Sequence, residues 1–311
     1  MIENVVSVGL PLDEALQIKK NRIKPEGLSG NGAGRISVVT GIHGDELEGQ
    51  FVCYELNRIL RENPEELHGV VDIYPAMNPF GIDSVTRGIP GFDLDMNRIF
   101  PGSQDGDMME YVASKIVEDI EGSDVCIDIH ASNIYLTEIP QIRINELNRD
   151  ELVPLAELMN VDLIWVHGAN TVLEATLAHT MNSRGVSTLV VEMGVGMRIT
   201  RNYCSQLVNG ILNLMSEKGI WTGRTAAVRK PLLSEAAGDV AFLNAGHSGI
   251  FVKEMEHGSR LKQGDLIGRI VDPLEGKVLD EVCAPADGLL FTIREYPVVE
   301  EGSLLGRLLR M

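Results

Sequence analysis

Cysteine is scarce in this 311-residue chain: Cys53, Cys126, Cys204 and Cys283 lie far apart and form no C-x-x-C pair. That spacing argues against a disulfide framework or a cysteine-built structural zinc site, and the four read as buried thiols in a reducing compartment. Aromatic residues make up only 5% of the chain, so aliphatic side chains must fill the interior. No window approaches the roughly 18 apolar residues of a membrane span. The N-terminal stretch MIENVVSVGLPLDEALQIKK also lacks a basic segment followed by an apolar one, so no secretory signal is expected. Cations are few as well, with 27 Lys plus Arg against 45 Asp plus Glu and a net charge of −18. Such a field repels phosphate backbones and anionic lipid, so neither a nucleic acid nor a membrane partner is expected, and an anionic substrate would need a local cluster of arginines. The chain reads as a soluble cytoplasmic protein.

What is present is a large apolar fraction, 44%, in a chain long enough for two domains. From residue 35 to about 220, short β-branched runs alternate with longer amphipathic ones. The expected strands are ISVVT from Ile36, VVDIYPA from Val70, DVCIDIH from Asp124, VDLIWVH from Val161 and STLVVEMG from Ser187. Their near-continuous apolar character suits a sheet covered on both faces. Helical patterns separate them at Leu47 to Glu62, Asp107 to Glu121, Asp150 to Asn160, Val172 to Arg184 and Thr200 to Lys218. The alternation predicts an α/β fold with a mostly parallel sheet flanked by helices, in which ligands collect at the carboxyl ends of strands. His43, His130, His167 and Glu192 all fall at or just beyond such ends.

Past residue 222 the long helices stop and glycines punctuate short β-rich pieces. SGIFV followed by KQGDLIGRI, ending at Ile270, is echoed by DGLLF followed by EEGSLLGRL, ending at Leu308. A repeated half-unit of strands and glycine turns predicts a small C-terminal β-sandwich with pseudo-two-fold symmetry. The boundary is expected near Gly223, giving a catalytic α/β domain over 1–223 and a β-domain over 224–311. The segment KVLDEVCAPADG from Lys277 resembles part of a lipoyl or biotinyl carrier domain, a barrel-sandwich hybrid. Gly276 and Val278 flank Lys277 in place of the carrier signature, so the fold is expected without the attached cofactor.

One stretch raises a chemical question. In VVTGIHGDELEG, Val38 to Gly49, an apolar strand stops abruptly and delivers His43 and Glu46 three residues apart. Side chains so spaced at a turn leaving a strand can converge on one object. A second strand, DVCIDIH, ends in His130. Two histidines and one carboxylate make a three-ligand set for catalytic zinc that leaves the fourth position open. Asp128, two residues before His130 on the same strand face, is positioned to hydrogen-bond a ligand imidazole and fix its tautomer. The plain alternative for His43 is a turn histidine held by a backbone bond.

Four ordered motifs, HGDE at His43 to Glu46, MNPFGIDSVTRGIPGFDLDMNRIFPG from Met77 to Gly102, DIHAS from Asp128 and VVEMG from Val190, resemble the succinylglutamate desuccinylase and aspartoacylase family within the wider zinc carboxypeptidase group. The resemblance implies a carboxypeptidase-like α/β fold and one zinc per chain on His43, Glu46 and His130. It implies Glu192 as the catalytic carboxylate, taking a proton from the attacking water and passing it to the leaving nitrogen. Burying an acid at the end of the apolar strand TLVVE is costly without such work, although a helix cap or an arginine pair would also account for it. By the same resemblance Arg87 polarises the scissile carbonyl, while Asn97 and Arg98 hold a substrate carboxylate; a surface ion pair is the alternative for either arginine. The C-terminal β-domain would border the active-site mouth and limit substrate size.

The remaining conspicuous residues carry less. His167, at the end of VDLIWVH, reads as a structural histidine, with a place in the pocket lining as the alternative, and His179, His247 and His257 are assigned no chemistry. Arg184 and Arg198 bracket Glu192 and are candidates to reach an acidic group of the substrate. GLSGNGAG from Gly27 lacks the Gly-Lys-Ser/Thr of a phosphate loop. The expected activity is hydrolysis of the amide of a small N-acyl amino acid or related carboxylate, the partner being that small molecule. A carboxypeptidase acting on short peptides is the close rival, and an inactive metal-binding module the distant one. Homo-oligomer formation is left open.

Overall fold

Residues 1–28, 33–168, 174–236 and 238–311 are described in the computed structural model of the protein. The chain begins with an antiparallel hairpin, β1 (Ile2–Gly9) and β2 (Ala15–Ile23), which lies outside the strands expected from sequence. β3 (Arg35–Thr40), α1 (Glu48–Glu62), β4 (Val70–Tyr74), α2 (Pro79–Ser84), α3 (Met108–Ile120) and β5 (Val125–Ala131) follow. Next come β6 (Leu136–Asn145), α4 (Arg149–Ala156), β7 (Leu163–His167), α5 (Leu177–Ser183), β8 (Ser187–Gly194) and α6 (Arg201–Glu217). The order across the sheet is β1-β2-β4-β3-β5-β8-β6. Its middle, β4-β3-β5-β8, is parallel.

The sheet as a whole is mixed, which corrects the expectation of a mostly parallel one. β2 runs antiparallel to β4, and β6 runs antiparallel to β8. The reason at β6 is length: only residues 132–135 separate it from β5, too few for a parallel crossover. Period-two alternation divides the core between the two faces. Ile36 and Val38 of β3 face α1 and α6 with Val52, Leu56, Leu207 and Ile211, whereas Val39 packs with Val112 and Ile116 of α3 and Leu177 of α5. Asp107 starts α3 by accepting from the Met109 and Glu110 N–H groups, and Glu110 returns the bond in a capping box. α4 ends earlier than the periodicity suggests and has Pro154 inside it. The opening of the expected Val172 helix, and half of the GLSGNGAG loop, lie outside the described residues. Cys53, Cys126 and Cys204 are buried thiols, but Cys283 is exposed.

The C-terminal part holds β9 (Leu232–Ser234), β10 (Val240–Asn244), β11 (Gly249–Lys253), β12 (Ser259–Leu261) and β13 (Leu266–Asp272), then β14 (Lys277–Cys283), β15 (Gly288–Arg294), β16 (Val298–Val299) and β17 (Leu304–Arg310). The two copies of the repeat become the antiparallel pairs β11–β13 and β15–β17, one in each of two sheets. Equivalent glycines do equivalent work: Gly264 and Gly302 turn the chain at φ +89° and +84°, where a side chain would be strained. β15 pairs antiparallel with β6, so the large sheet runs unbroken from the N-terminal part into the C-terminal one. Side chains of both C-terminal sheets, among them Phe251, Ile270, Leu290 and Leu308, share one core cluster.

Candidate functional site

The parallel strands β3, β5 and β8 deliver their carboxyl ends side by side, and the polar residues gather there. After Thr40 the chain turns through Gly41 at φ +71° and places His43 and Glu46 ahead of α1. Gly44 between them lies against the loop that carries Arg87: a Cβ there would meet the Gly81 carbonyl carbon at 1.9 Å, so only glycine lets the two loops close. His43 Nδ1 stands 2.7 Å from Glu46 Oε1, and His130 Nδ1 stands 2.9 Å from Glu46 Oε2. One ligand-type atom from each of the three residues lies within 4.8 Å of the others, and all three side chains are buried. Their donor set, two imidazole nitrogens and a carboxylate, fits zinc.

Each imidazole also faces a carboxylate through its other nitrogen. His43 Nε2 meets Asp95 Oδ1 at 3.1 Å, and His130 Nε2 lies 3.3 Å from Asp128 Oδ1, within ion-pair reach but outside good hydrogen-bond geometry. That outer ring is the arrangement that orients metal-ligating histidines. Burial pushes the Glu46 carboxyl up, but the two imidazoles outweigh it and hold it well below the usual carboxylate range. Asp95 is held low in the same way by His43 and Arg87 against its burial. An ionised Glu46 is the form a cation requires.

The other expected residues come to the same place. His43, Glu46, Arg87, Arg98, His130 and Glu192 line one cavity of about 680 Å³, with Asn97 and Asp128 also on its wall. Arg87 donates to Glu46 Oε1 at 3.0 Å and to Asp95 Oδ2 at 3.4 Å. Arg98 donates only to the Asn97 carbonyl, at 2.7 Å, and has no carboxylate partner among the described residues. Asn97 spends its side-chain oxygen on the Leu177 N–H at the start of α5. Glu192 stands beside His130 in the β5–β8 ladder and 3.3 Å from Arg143 Nη1. Burial raises its pKa and Arg143 opposes the rise, leaving it above the usual value, the direction that suits a group that must both take and give a proton near neutrality.

Residues 33–218 match the family model described as the succinylglutamate desuccinylase/aspartoacylase catalytic domain. The chain belongs to that family. A curated relative in this family of deacylases, an N-alpha-acetyl-L-2,4-diaminobutyric acid deacetylase of Halomonas elongata, is 27% identical over 277 residues, 86% of this chain and 79% of the relative. In fold the chain is similar to the product-bound ectoine utilization protein EutE (DoeB) of Ruegeria pomeroyi, with a TM-score of 0.83 at 20% identity over 100% of this chain and 95% of that one. It is similar as well to a succinylglutamate desuccinylase/aspartoacylase of Rhodobacter sphaeroides, with a TM-score of 0.81 at 24% identity, covering 99% and 94%.

Sequence reasoning about this family member missed part of the wall. Arg184 and Arg198 do not reach the cavity: Arg184 pairs with Glu121 on the surface, and Arg198 donates to the Met197 carbonyl. The cation near Glu192 is Arg143, from β6. Pro140 hid that strand, because proline interrupts a ladder; it sits at the register shift between Glu138 and Gln141. The signal that remains is the alternation Gln141, Ile142, Arg143, Ile144. His179, given no chemistry from sequence, lines the cavity, and so does His167, for which pocket lining is the alternative to a structural role. So do Phe242 and Arg307, supplied by the C-terminal strands β10 and β17. Asp95 is readable only once the loop from Met77 to Gly102 is folded back onto His43.

Proposed function

We propose that this protein is a zinc-dependent hydrolase that cleaves the amide bond of a small N-acyl amino acid or related carboxylate, with one zinc per chain held by His43, Glu46 and His130. The observation that carries the reading is that this three-residue donor group opens into the same cavity as Glu192 and Arg98, which has no carboxylate partner among the described residues. When bound, zinc supplies Lewis acidity toward water and toward an acyl carbonyl. Glu192 takes the proton of the attacking water and delivers it to the amide nitrogen as the C–N bond breaks, so that a free amine and a carboxylate leave. Arg87 donates to the acyl oxygen as negative charge grows there. Arg98 binds the carboxylate of the substrate with its planar fork, assisted by Asn97, and supplies the positive charge that the whole chain lacks. Asp95 and Asp128 hold the rings of His43 and His130.

Residues 1–223 form the catalytic unit in this reading, and 224–311 a β-sandwich resembling a barrel-sandwich hybrid. The division of the repeat between two sheets that share a core supports the sandwich. Phe242 and Arg307 wall the cavity, which favours small acyl amino acids over longer peptides. No helix among the described residues is long and apolar enough to cross a membrane. The test is a panel of N-acetyl-2,4-diaminobutyrate, N-succinylglutamate, N-acetylaspartate and short peptides given to the zinc-loaded protein, with amine release as the readout. Turnover of an acyl amino acid in preference to peptides is expected. Preferred cleavage of peptides would replace the reading with a carboxypeptidase, and a protein that binds zinc yet hydrolyses nothing would remove the enzyme altogether.

A further inference from the structure

Glu138 on β6 is fully buried at the seam between the two parts of the chain, and donors from both parts occupy it. Arg143 Nη2 donates to Oε1 and Oε2 at 2.9 and 2.8 Å. From the C-terminal side, Thr292 Oγ1 on β15, opposite Glu138 in the ladder, donates to Oε1 at 3.0 Å, and Arg307 Nη1 on β17 donates to the same oxygen at 2.5 Å. Arg143 turns its other terminal nitrogen to Glu192, 3.3 Å away. The result is a row of alternating charge, Glu192, Arg143, Glu138, Arg307. The central carbons of both guanidinium groups lie over the Trp165 ring, 5.7 and 5.8 Å from its centre, within cation–π range.

As a way of joining two sheets this is poor economy. Buried ion pairs are often replaceable by apolar residues without loss of stability, so a seam selected only for adhesion has no need of one. The Nε groups of both arginines are buried without a hydrogen-bond partner among the described residues, so their polar contacts along the row are made by terminal nitrogens.

We propose that Arg143 is a positioning residue for the Glu192 carboxylate, and that the C-terminal part takes part in the reaction through Thr292 and Arg307, which fix Glu138 and through it Arg143. The proposal rests on the reading of Glu192 as the proton-transfer group. It makes the C-terminal part more than a wall, because loss of a clamp at Arg307 is felt at Glu192 without any contact between the two. A displaced carboxylate lowers kcat, because misplacement by about 1 Å of a group that must meet its proton in line costs up to about a hundredfold, whereas the binding of substrate by Arg98 is untouched.

The test uses the full-length, zinc-loaded protein and the N-acyl amino acid it turns over best, with metal content and melting temperature measured alongside. Arg143→Ala is expected to lower kcat by roughly a hundredfold, with KM and zinc content close to wild type, and added methylguanidinium to restore at least about a tenth of the lost rate. Arg307→Met is expected to lower kcat by about tenfold in the wild-type background and to add almost nothing to Arg143→Ala, as coupled positions do. If Arg307→Met does not fold, Arg307→Lys takes its place in the same cycle, since it keeps the charge and loses the guanidinium that reaches Glu138. Effects that multiply in the double variant, or a rise in KM alone, overturn the link between the two parts. An inactive Glu192→Gln beside a fully active Arg143→Ala overturns the positioning role and leaves the Glu192 assignment standing. A fully active Glu192→Gln, or a wild type that hydrolyses nothing, removes the underlying reading and this proposal with it.

Discussion

At the scale of single residues, Arg87 and Arg98 differ in what already occupies them. Arg87 is engaged by Glu46 and Asp95, whereas Arg98 has no carboxylate partner among the described residues. Arg98→Ala is therefore expected to raise KM by at least about tenfold and to weaken discrimination against substrates without a free carboxylate, and Arg87→Ala chiefly to depress kcat. Steady-state kinetics on a carboxylate substrate and its methyl ester separate the two, and equal effects would remove the division of labour. His43→Ala and His130→Ala are each expected to abolish tight zinc binding, because two remaining ligands compete poorly with water; elemental analysis of the purified variants checks this, and full retention of zinc would dismiss the metal site. His43, Glu46 and His130 were legible because strand ends and short spacings are local. Asp95 and Arg143 were not, since each acts across a fold distance that no spacing in the sequence encodes.

Among the elements, the N-terminal hairpin is held by charge as well as by its apolar face. Asp72 of β4 is fully buried and accepts from Arg22 at 2.8 and 2.6 Å and from Arg35 at 2.9 Å, with Lys20 at 3.6 Å. Burial raises the Asp72 carboxyl, and Arg22, Lys20 and Arg35 more than reverse it, so its pKa in the folded protein is depressed. A depressed carboxyl contributes stability that is present above its unfolded value, about pH 4, and is lost as pH falls through the folded one. Asp72→Asn is expected to cost about 3 kcal/mol at neutral pH, the scale for breaking a buried pair, and the deficit to shrink on acidification below about pH 4. Urea unfolding at both pH values measures it; a deficit independent of pH would show that charge is not what Asp72 contributes. The parallel strands were readable from their apolar runs and α3 from its helical periodicity. The hairpin passed unassigned despite its period-two pattern in LQIKKNRI, and β6 was masked by Pro140. The α4 periodicity overran because Leu158 and Met159 lie against the core from a turn rather than from the helix.

On the scale of the whole molecule, composition and the glycine repeat point to two units near Gly223, while the pairing of β6 with β15 joins them into one sheet. Ile139 and Leu163 from one side share an apolar cluster with Leu289, Phe291 and Leu309 from the other. Burial of that kind couples unfolding, so calorimetry of the full chain is expected to give a single transition. Two well-separated transitions would contradict the coupling. A chain ending near Gly223 would bare the β6 edge and this cluster, an exposed edge being a template for aggregation. The continuity was invisible in the sequence because strand partners 150 residues apart leave no periodic trace.

The proposed function stands or falls on proton transfer by Glu192 beside a metal held by His43, Glu46 and His130. Its most direct test is amine release from the preferred N-acyl amino acid by wild type and Glu192→Gln, with both proteins brought to the same zinc content. The wild type is expected to turn over and the variant to be at least roughly a hundredfold slower, with its zinc and melting temperature retained. Equal rates at equal zinc would contradict it.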